Sequence, residues 1–445
     1  MSRSNKVSPI PFEATITDLG HDGRGVARID GKTVFVSGAL LGEQVMAKLR
    51  KRHRHFDEAE VVELITRSPH RVEPRCQHFA ECSGCSLQHL DAPSQIAAKQ
   101  RVLAENFERI GKVSPAAWLP PLTGEPWGYR RKGRLSVRHV MKKGRVLVGF
   151  REEQNSSLVA DIQRCEVMHP SLGPKIGLLA DLLSTMEAVD TIPQIEFAGG
   201  DDVMALVFRH MEPLNEHDLS ALTAFGKQHE LAIYLQPGSN SSVHPLWPQQ
   251  PRLAFRIASG DERIDDVELA FEPLDFVQVN ADMNQRMMAR TLELLDLQPT
   301  DRVLDLFCGL GNFTLPIARR VAEVVGLEGE HGLVERAAQN AARNGIDNAH
   351  FHVANLFEDQ RGTDWARQPW DKILLDPPRA GADKVLEYLP HKQTRRIVYV
   401  SCHPASLARD AGILVNQHGF KLTSAGVMDM FPHTAHVESI ALFER

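Results

Sequence analysis

Long apolar runs are missing from this 445-residue chain, although hydrophobic residues make up 42% of it. No apolar stretch approaches the roughly 18–20 residues that a membrane-spanning helix needs. Residues 1–14 also lack the apolar core of a secretory signal. We therefore expect a cytoplasmic protein with no membrane partner. At roughly 100–200 residues per domain, the length predicts about two to four domains.

An excess of positive charge is missing as well, because 51 lysines and arginines face 57 acidic residues, for a net charge of −6. The overall charge therefore does not indicate a nucleic-acid partner. Positive charge is instead concentrated in residues 48–54 and 127–151, two segments without a single acidic residue. Two such clusters in an acidic chain favour a polyanionic partner.

Cysteine is scarce, with six residues, and this number does not suit a disulfide framework in a chain of this size. Cys76, Cys82 and Cys85 fall within ten residues of each other, and Cys165 is the next cysteine along the chain. Four thiolates would suit a structural zinc ion or a 4Fe–4S cluster. The spacing alone does not decide between them, with zinc slightly favoured.

Three kinds of hydrophobic pattern divide the chain. Residues 13–65 contain five short alternating strand patterns, which predict a small β-barrel of the OB kind. An amphipathic helix is predicted at about residues 94–110. Residues 127–260 mix strand patterns with one or two helices and predict an α+β middle domain. From about residue 271, apolar strands alternate with amphipathic helices of 10–16 residues. This alternation predicts a doubly wound parallel sheet.

Polar residues stand at the ends of successive strands of that sheet. Residues 303–313, VLDLFCGLGNF, run from a buried strand into a glycine-containing loop, and Glu328 ends the next strand. A carboxylate there can accept hydrogen bonds from the ribose hydroxyls of a nucleotide-like cofactor. The loop lacks the third glycine of dinucleotide-binding folds, so S-adenosylmethionine fits better than NAD. Asn355 and Asp376 follow at the next two strand ends, where open α/β sheets bind ligands.

Cys402 ends the fifth strand, directly before a helix predicted from Pro404 to about residue 418. The positive end of the helix dipole is expected to lower the pKa of this thiol from about 8.5 towards neutrality. A thiolate is needed to methylate a poorly nucleophilic carbon such as C5 of a pyrimidine, because sulfur added to C6 makes C5 nucleophilic. Glu438, at the entry of the last predicted strand, is then a candidate base for the C5 proton.

The chain resembles the RNA uracil-C5 methyltransferases, in particular those with a TRAM barrel and an iron–sulfur cluster that act on bacterial 23S rRNA. The resemblance covers residues from about 13 to the end. It rests on FVQVN, DLFCGLGNF, LLDPPRAGA, SCHPASLARD, DMFPHTAHVE and the cysteine pattern. It implies a multidomain α/β protein with three parts: a TRAM barrel at 1–74, a middle domain with the cluster at 75–93 and 127–268, and a Rossmann-like methyltransferase domain at 94–126 and 269–445.

The resemblance also implies the roles of individual residues. Cys402 matches the nucleophile and Glu438 the base. The positions that match S-adenosylmethionine contacts are Gln278, Phe307, Asn312, Glu328, Asn355 and Asp376. The positions that match ligands of a structural 4Fe–4S cluster are Cys76, Cys82, Cys85 and Cys165. His403 stands where the family usually has asparagine, which puts any role of this side chain in orienting the uracil in doubt.

The resulting hypothesis is a monomeric enzyme that forms 5-methyluridine in 23S rRNA, with residues 129–138 as phosphate contacts in the middle domain. A tRNA uracil-C5 methyltransferase and a non-catalytic RNA-binding or ribosome assembly factor are the alternatives. Methylation of an exocyclic amine is a further alternative. It is disfavoured because the DPP sequence at 376–378 is followed by Arg379, and not by the aromatic residue on which amine-methylating enzymes stack a base.

Overall fold

The computed structural model describes residues 10–445, so the first nine residues of the predicted barrel lie outside the described part. The chain divides into two compact units. One runs up to Val102 and includes Phe431–His436, and the other comprises Leu103–Met430 and Val437–Arg445. Within residues 10–445, no helix has both the length and the apolar character needed to cross a membrane.

Six strands form the N-terminal sheet, in the order β1-β5-β6-β4-β3-β2. Their bounds are β1 Phe12–Thr15, β2 Asp18–Leu19, β3 Gly25–Ile29, β4 Lys32–Ser37, β5 Gln44–Arg52 and β6 Phe56–Thr66. β1 pairs with β5, and β2, the next strand in the chain, pairs with β3. One stretch of chain therefore forms both edges of the sheet and closes it into the predicted barrel. The barrel core consists of small and branched side chains, including Ala27, Val36 and Val45.

The segment Phe431–His436, close to the end of the chain, belongs to the same unit as the barrel. The backbone N–H groups of Ser86 and Leu87 both donate to the carbonyl oxygen of His433, at 2.9 Å. The buried Lys99 donates from Nζ to the carbonyl oxygen of Phe431, at 3.0 Å. Lys99 lies on α1, Ala92–Asn106, which continues into a π-helical turn at Phe107–Gly111. The helix predicted at residues 94–110 is thus confirmed.

The middle part of the chain is an α+β arrangement, as predicted. Its sheet has the order β13-β12-β11-β10-β8-β9. The strands are β8 Lys132–Val140, β9 Arg145–Gly149, β10 Gln194–Gly199, β11 Met204–Arg209, β12 Leu231–Gln236 and β13 His244–Trp247. The helices are α2 Ile176–Ser184 and α3 Glu216–His229, and a hairpin of β14 Ala254–Ile257 and β15 Val267–Ala270 follows.

The C-terminal sheet has eight strands in the order β18-β17-β16-β19-β20-β22-β21-β7. These are β7 Ala117–Trp118, β16 Arg302–Leu306, β17 Glu323–Glu328, β18 Ala349–Val353, β19 Lys372–Leu375, β20 Arg396–Ser401, β21 Lys421–Met428 and β22 Glu438–Glu444. β16 to β20 are parallel, whereas β22 runs antiparallel between β20 and β21. The doubly wound sheet is therefore confirmed, with an antiparallel hairpin at one side.

Helices precede, connect and follow the parallel strands, but several are shorter than the 10–16 residues predicted. The long ones are α4 Ala281–Leu295, α6 His331–Arg343 and α9 Pro404–Asn416, and the short ones are α5 Thr314–Ala318, α7 Asp364–Arg367 and α8 Asp383–Leu386. At the amino end of the sheet, the buried Nζ of Lys372 lies 2.8 Å from the buried carboxylate of Asp301. The domain boundaries given above stay a prediction.

Candidate active site

Five predicted site residues lie at one edge of the C-terminal sheet. Because β16 to β20 are parallel, their carboxyl ends share that edge, where open α/β sheets bind ligands. The residues at or just after these strand ends are Phe307, Glu328, Asn355, Asp376 and Cys402. The antiparallel neighbour β22 begins at the same edge with Glu438. Strand polarity thus brings these predicted residues together.

The loop after β16 adopts a backbone that glycine favours. Phe307, Gly309 and Gly311 have positive φ angles of 70°, 55° and 95°. A Cβ atom on Gly311 would also lie only 3.2 Å from Cγ of Leu315, which is tighter than ordinary van der Waals contact. Glycine at these positions lets the loop turn sharply and leaves its backbone accessible to a ligand.

The carboxylate of Glu328 is held by backbone N–H groups on both sides. Its Oε2 accepts from the N–H of Gly309 at 3.1 Å, which joins the end of β17 to the glycine loop. Its Oε1 accepts from Gly329 and Glu330, at 2.7 and 3.1 Å. These bonds fix the orientation of the carboxylate, and lone pairs remain for further donors such as hydroxyl groups.

Asn312 is held by a partner that the sequence analysis missed. Its side-chain amide and that of Asn284 form two reciprocal hydrogen bonds, each 3.0 Å long. Asn284 is buried on α4, on the same apolar face as Met283, Met287 and Met288. An asparagine on the apolar face of an amphipathic helix is the sequence signal that could have revealed it, because a buried amide needs partners.

Gln278 and Asn355 contact residues other than those of the glycine loop. Gln278 lies between β15 and α4, and its carbonyl oxygen accepts from Nε of the buried Arg131 at 3.0 Å. Asn355 is exposed two residues after β18, and its amide donates to Glu358 at 2.9 Å. Next to it, the rings of Phe307 and Phe357 lie 6.0 Å apart. Phe357 is 44% exposed, so an apolar surface is available beside the glycine loop.

Strand register places Cys402 beside Glu438. Ser401 of β20 pairs with Ser439 of antiparallel β22, so the residue after Ser401 and the residue before Ser439 are neighbours. Glu438 is buried, with 8% of its surface exposed, whereas the sequence alone suggests an exposed position at a strand entry. A buried carboxylate next to a half-buried thiol is the arrangement that the proposed base and nucleophile require.

The predicted low pKa of Cys402 is wrong. Burial, together with the negative charges of Glu438 and Asp376, raises the pKa of this thiol to about 11, whereas Arg379 acts in the opposite direction. Desolvation and two carboxylates therefore shift the pKa in the direction opposite to the one predicted from the position before α9. At neutral pH the substrate-free protein carries a protonated thiol, and the group becomes nucleophilic only when a base takes its proton.

Two carboxyl groups with raised pKa values add to the site, and only that of Asp376 was anticipated. Burial raises the pKa of Asp305 to about 7 and also that of Asp376, with Asp305 adding to the shift at Asp376. Asp305 is fully buried on β16, where its Oδ2 accepts from Thr314 Oγ1 at 2.6 Å. Its buried Oδ1 has no hydrogen-bond partner among the described residues. Such a group is an acceptor available to a ligand.

Comparisons with known proteins show the family of this chain. A family model described as tRNA (Uracil-5-)-methyltransferase matches residues 261–445, and a TRAM domain model matches residues 12–62. The 23S rRNA (uracil(1939)-C(5))-methyltransferase of Xanthomonas campestris pv. campestris is 60% identical over 100% of both chains. The enzyme of the same name from Stenotrophomonas maltophilia is 58% identical over 100% of both. The chain belongs to the RNA uracil-C5 methyltransferase family.

A solved structure shows the same fold. The tRNA (uracil-54, C5)-methyltransferase of Pyrococcus abyssi, in complex with S-adenosyl-L-homocysteine, aligns with a TM-score of 0.72. The alignment covers 97% of this chain and 100% of that chain, at 24% identity. The predicted TRAM barrel and Rossmann-like methyltransferase domain are thereby confirmed as the fold.

His403, the departure from the family pattern, has a structural role. It is the N-cap of α9, and its Nδ1 accepts from the backbone N–H of Ser406 at 3.3 Å. Asparagine is among the best N-cap residues because its side-chain oxygen accepts the same bond. Either side chain can therefore begin the helix that follows the nucleophile.

The structure does not show the predicted cluster. Cys76, Cys82 and Cys85 belong to the barrel unit, whereas Cys165 belongs to the other unit, and all four are half-buried. Among residues 10–445, no group of three or more His, Cys, Asp and Glu side chains is arranged to hold a metal ion. The donor types of the four cysteines suit iron or zinc, and the cluster stays a prediction.

The cations of the predicted phosphate contacts at 129–138 differ in their exposure. Arg131 is 4% exposed, and its guanidinium stacks over Phe255. Lys132 donates from Nζ to the carbonyl oxygen of Pro273 at 2.5 Å. Arg131 faces the protein interior, so for this residue the prediction is wrong, and the Nζ of the half-buried Lys132 is engaged within the protein. Arg134 and Arg138 are exposed on β8, because they lie on the face of the strand opposite the buried Leu135 and Val137.

Proposed function

We propose that this protein methylates C5 of a uracil in 23S rRNA, with S-adenosylmethionine as methyl donor, Cys402 as nucleophile and Glu438 as base. The observation that carries the proposal is the pairing of β20 with β22, which sets the thiol beside the carboxylate at the ligand-binding edge of the sheet. The 58–60% identity to full-length proteins that bear the 23S rRNA name supports this substrate. We further propose that the enzyme works as a cytoplasmic monomer, which sedimentation of the purified chain tests.

The reaction begins at the thiol. The sulfur of Cys402 adds to C6 of the uracil, and the electron pair of the C5–C6 double bond shifts towards the C4 carbonyl group. The thiol proton must leave in this step, because the pKa of Cys402 is about 11. Asp376 is suited to accept it, since its negative charge acts on the thiol and its pKa of about 7 is close to the working pH.

Glu438 acts at the end of the reaction. S-Adenosylmethionine, when bound, supplies the electrophilic methyl group that becomes attached to C5. The carboxylate of Glu438 then takes the C5 proton, the C5–C6 double bond forms again, and the sulfur of Cys402 leaves with the pair of electrons of its bond to C6. Burial of Glu438 keeps this carboxylate out of bulk water and close to the thiol. A base positioned in this way contributes about 10²–10⁴-fold to the rate of such a proton transfer.

The six residues predicted from the sequence, together with Asp305, are proposed to hold S-adenosylmethionine, and the site fits a cationic nucleotide-like molecule. Glu328 is positioned by three backbone N–H groups for ribose hydroxyls, and the unpartnered Oδ1 of Asp305 can accept from an ammonium group. The other proposed contacts are Gln278, Phe307, Asn312, Asn355 and Asp376. Calorimetric binding of S-adenosylhomocysteine to Glu328→Ala tests this assignment, with Glu444→Gln as a control at the other end of the sheet.

A 4Fe–4S cluster is proposed on the four cysteines, and the support comes from the resemblance and from the donor chemistry. Three thiols lie in one ten-residue loop, and the N–H of Gly84 donates to Sγ of Cys82 at 3.4 Å, a contact that stabilises a thiolate ligand. The test is anaerobic purification followed by analysis of iron and sulfide and by visible absorption. Zinc in place of iron, or no metal at all, would contradict the proposal.

The RNA is proposed to contact the barrel through β5. The cations of this strand face the acidic strand β6, and Arg50 pairs with Glu60 at 2.7 Å. Lys48, Lys51, Arg52 and Arg54 are exposed, and no ion pair is found for them in the described part of the chain. Their removal is expected to weaken RNA binding and to lower its salt dependence by about one unit of slope per lost phosphate contact.

The experiment that tests the function uses 23S rRNA fragments that contain 5-fluorouracil, together with S-adenosylmethionine. Fluorine at C5 cannot be removed as a proton, so a covalent protein–RNA adduct is expected to accumulate at Cys402 and to be absent in Cys402→Ala. With ordinary RNA, Cys402→Ala should lose at least about 10³-fold in rate, or about 4 kcal/mol of barrier. Methylation of a tRNA transcript but not of the rRNA fragment would favour the tRNA alternative, and full activity of Cys402→Ala would overturn the mechanism.

A further inference from the structure

A buried carboxylate on α9 binds the loop that follows β19. Asp410 has no exposed surface, and its Oδ2 accepts from Tyr399 Oη at 2.6 Å and from the backbone N–H of Ala382 at 2.7 Å. Its Oδ1 accepts from Nε of Arg409 at 2.8 Å. Three donors on one buried carboxylate form a fully satisfied network, which is costly to disturb.

The loop is built to meet this carboxylate. The N–H of Gly381 donates to the carbonyl oxygen of Pro378 at 2.8 Å, which closes a turn. Gly381 has a φ of 84°, and a Cβ atom there would lie 2.7 Å from Oδ2 of Asp410 and 2.5 Å from Nη2 of Arg409. Arg409 Nη2 also donates to the carbonyl oxygen of Ala380 at 2.8 Å. Both the conformation and the contact therefore require glycine at this position.

This loop carries two charges that act on the nucleophile. Asp376 stands at its start and Arg379 within its turn, and both influence the thiol of Cys402, which precedes α9. The helix that follows the nucleophile and the loop that carries these charges are thus joined through Asp410. Tyr399 belongs to β20, the strand that ends at the nucleophile, so the same carboxylate also contacts that strand.

We propose that Asp410, with Tyr399, is a positioning residue that holds the 376–382 loop in place, so that Asp376 and Arg379 keep fixed positions beside the Cys402 thiol. The inference rests on the proposed role of Cys402, but it concerns the electrostatic surroundings of the sulfur and not the methyl transfer. Burial and the charge of Asp410 raise the pKa of Tyr399 well above its ordinary value, so its hydroxyl stays a donor over the working range of pH.

The test measures how strongly Arg379 acts on the Cys402 thiol when the Asp410–Tyr399 hydrogen bond, here called the anchor, is intact and when it is removed. Cys402 is alkylated with iodoacetamide in the full-length protein, and the modified peptide is quantified by mass spectrometry. In the otherwise unchanged protein, Arg379→Ala removes the positive charge and is expected to slow alkylation about threefold to tenfold, since the rate follows the thiolate fraction. The same substitution is then made in Tyr399→Phe and in Asp410→Asn, which completes two double-mutant cycles.

If Asp410 positions the loop, the effect of Arg379→Ala shrinks towards no change in both anchor variants. Tyr234→Phe, a buried tyrosine of the middle sheet, is the matched control and should leave the effect of Arg379→Ala unchanged. Tyr399→Phe loses a single hydroxyl group, so it carries the test if Asp410→Asn does not fold. Three outcomes would each overturn the inference. Arg379→Ala could slow alkylation equally in all backgrounds, its effect could shrink in Tyr234→Phe as much as in the anchor variants, or it could have no effect in the parent protein. Because alkylation involves no methyl transfer, these results are separate from the activity of Cys402→Ala.

Discussion

The negative charge of Glu438 should lower the thiolate fraction of Cys402, and so its rate of alkylation, in the substrate-free protein. With a pKa of about 11, only about one thiol in 10⁴ is ionised at pH 7, against roughly 3% for an ordinary cysteine of pKa about 8.5. Glu438→Gln keeps the shape of the side chain and removes its charge, so alkylation of Cys402 should become faster. A helix dipole that dominated the thiol, as the sequence suggests, would predict fast alkylation already in the unmodified protein.

The magnitude follows from the pairing of the strands. Neighbouring side chains of antiparallel strands lie about 5 Å apart. At that separation, an effective dielectric constant between about 20 and 80 gives an interaction of about 1–3 kcal/mol between the two charges. Its removal corresponds to an alkylation rate about fivefold to 100-fold higher, because about 1.4 kcal/mol is tenfold.

The assay follows iodoacetamide labelling of the Cys402 peptide over a range of pH values, since the chain has six cysteines. Glu444→Gln, at the far end of the same strand, is the control and should not alter the rate, because Glu444 pairs with Arg396 at 3.1 Å. A labelling rate in Glu438→Gln that is unchanged or lower would refute the argument that this carboxylate suppresses the thiolate.

Three further predictions concern stability, measured by urea unfolding. His403→Ala should lose about 1 kcal/mol through the N-cap of α9, whereas His403→Asn should retain it. Because the pKa of Asp305 is raised to about 7, above an unfolded value of about 3.9, stability should fall as pH rises from about 4 to 7, and Asp305→Asn should reduce this slope. Lys372→Met should lose about 2–3 kcal/mol, since it leaves the buried Asp301 with fewer donors. An equal loss of stability in both His403 variants would contradict the first prediction. An unchanged pH dependence in Asp305→Asn would contradict the second, and unaltered stability of Lys372→Met would contradict the third.

The strands and their order of appearance could be predicted from local patterns. The alternation in residues 13–65 and the apolar runs from Val303 onwards correspond to the observed strands, because burial of one or both faces of a strand dictates which residues are apolar. The position of Cys402, Glu328 and Asp376 at strand ends was also predictable, since parallel strands in an α/β sheet share one carboxyl edge.

Helix lengths and partners were less predictable. α5, α7 and α8 span only four or five residues, and most of the chain in these connections is irregular. The pairing of Asn284 with Asn312 joins residues 28 positions apart. No local pattern specifies which polar group will meet a buried amide, although its place on an apolar helix face indicates that it must meet one.

By itself, the sequence determined which residues form the five parallel strands, where the glycine loop lies, and which polar side chains reach the carboxyl edge of the sheet. These properties follow from local periodicity and from the direction of the chain. Only the tertiary structure decided the electrostatic state of these groups, such as the protonated thiol of Cys402 and the inward orientation of Arg131. The physical reason is that desolvation and charge–charge interactions depend on distances between residues that are remote in the chain. A pattern of residue types does not contain those distances.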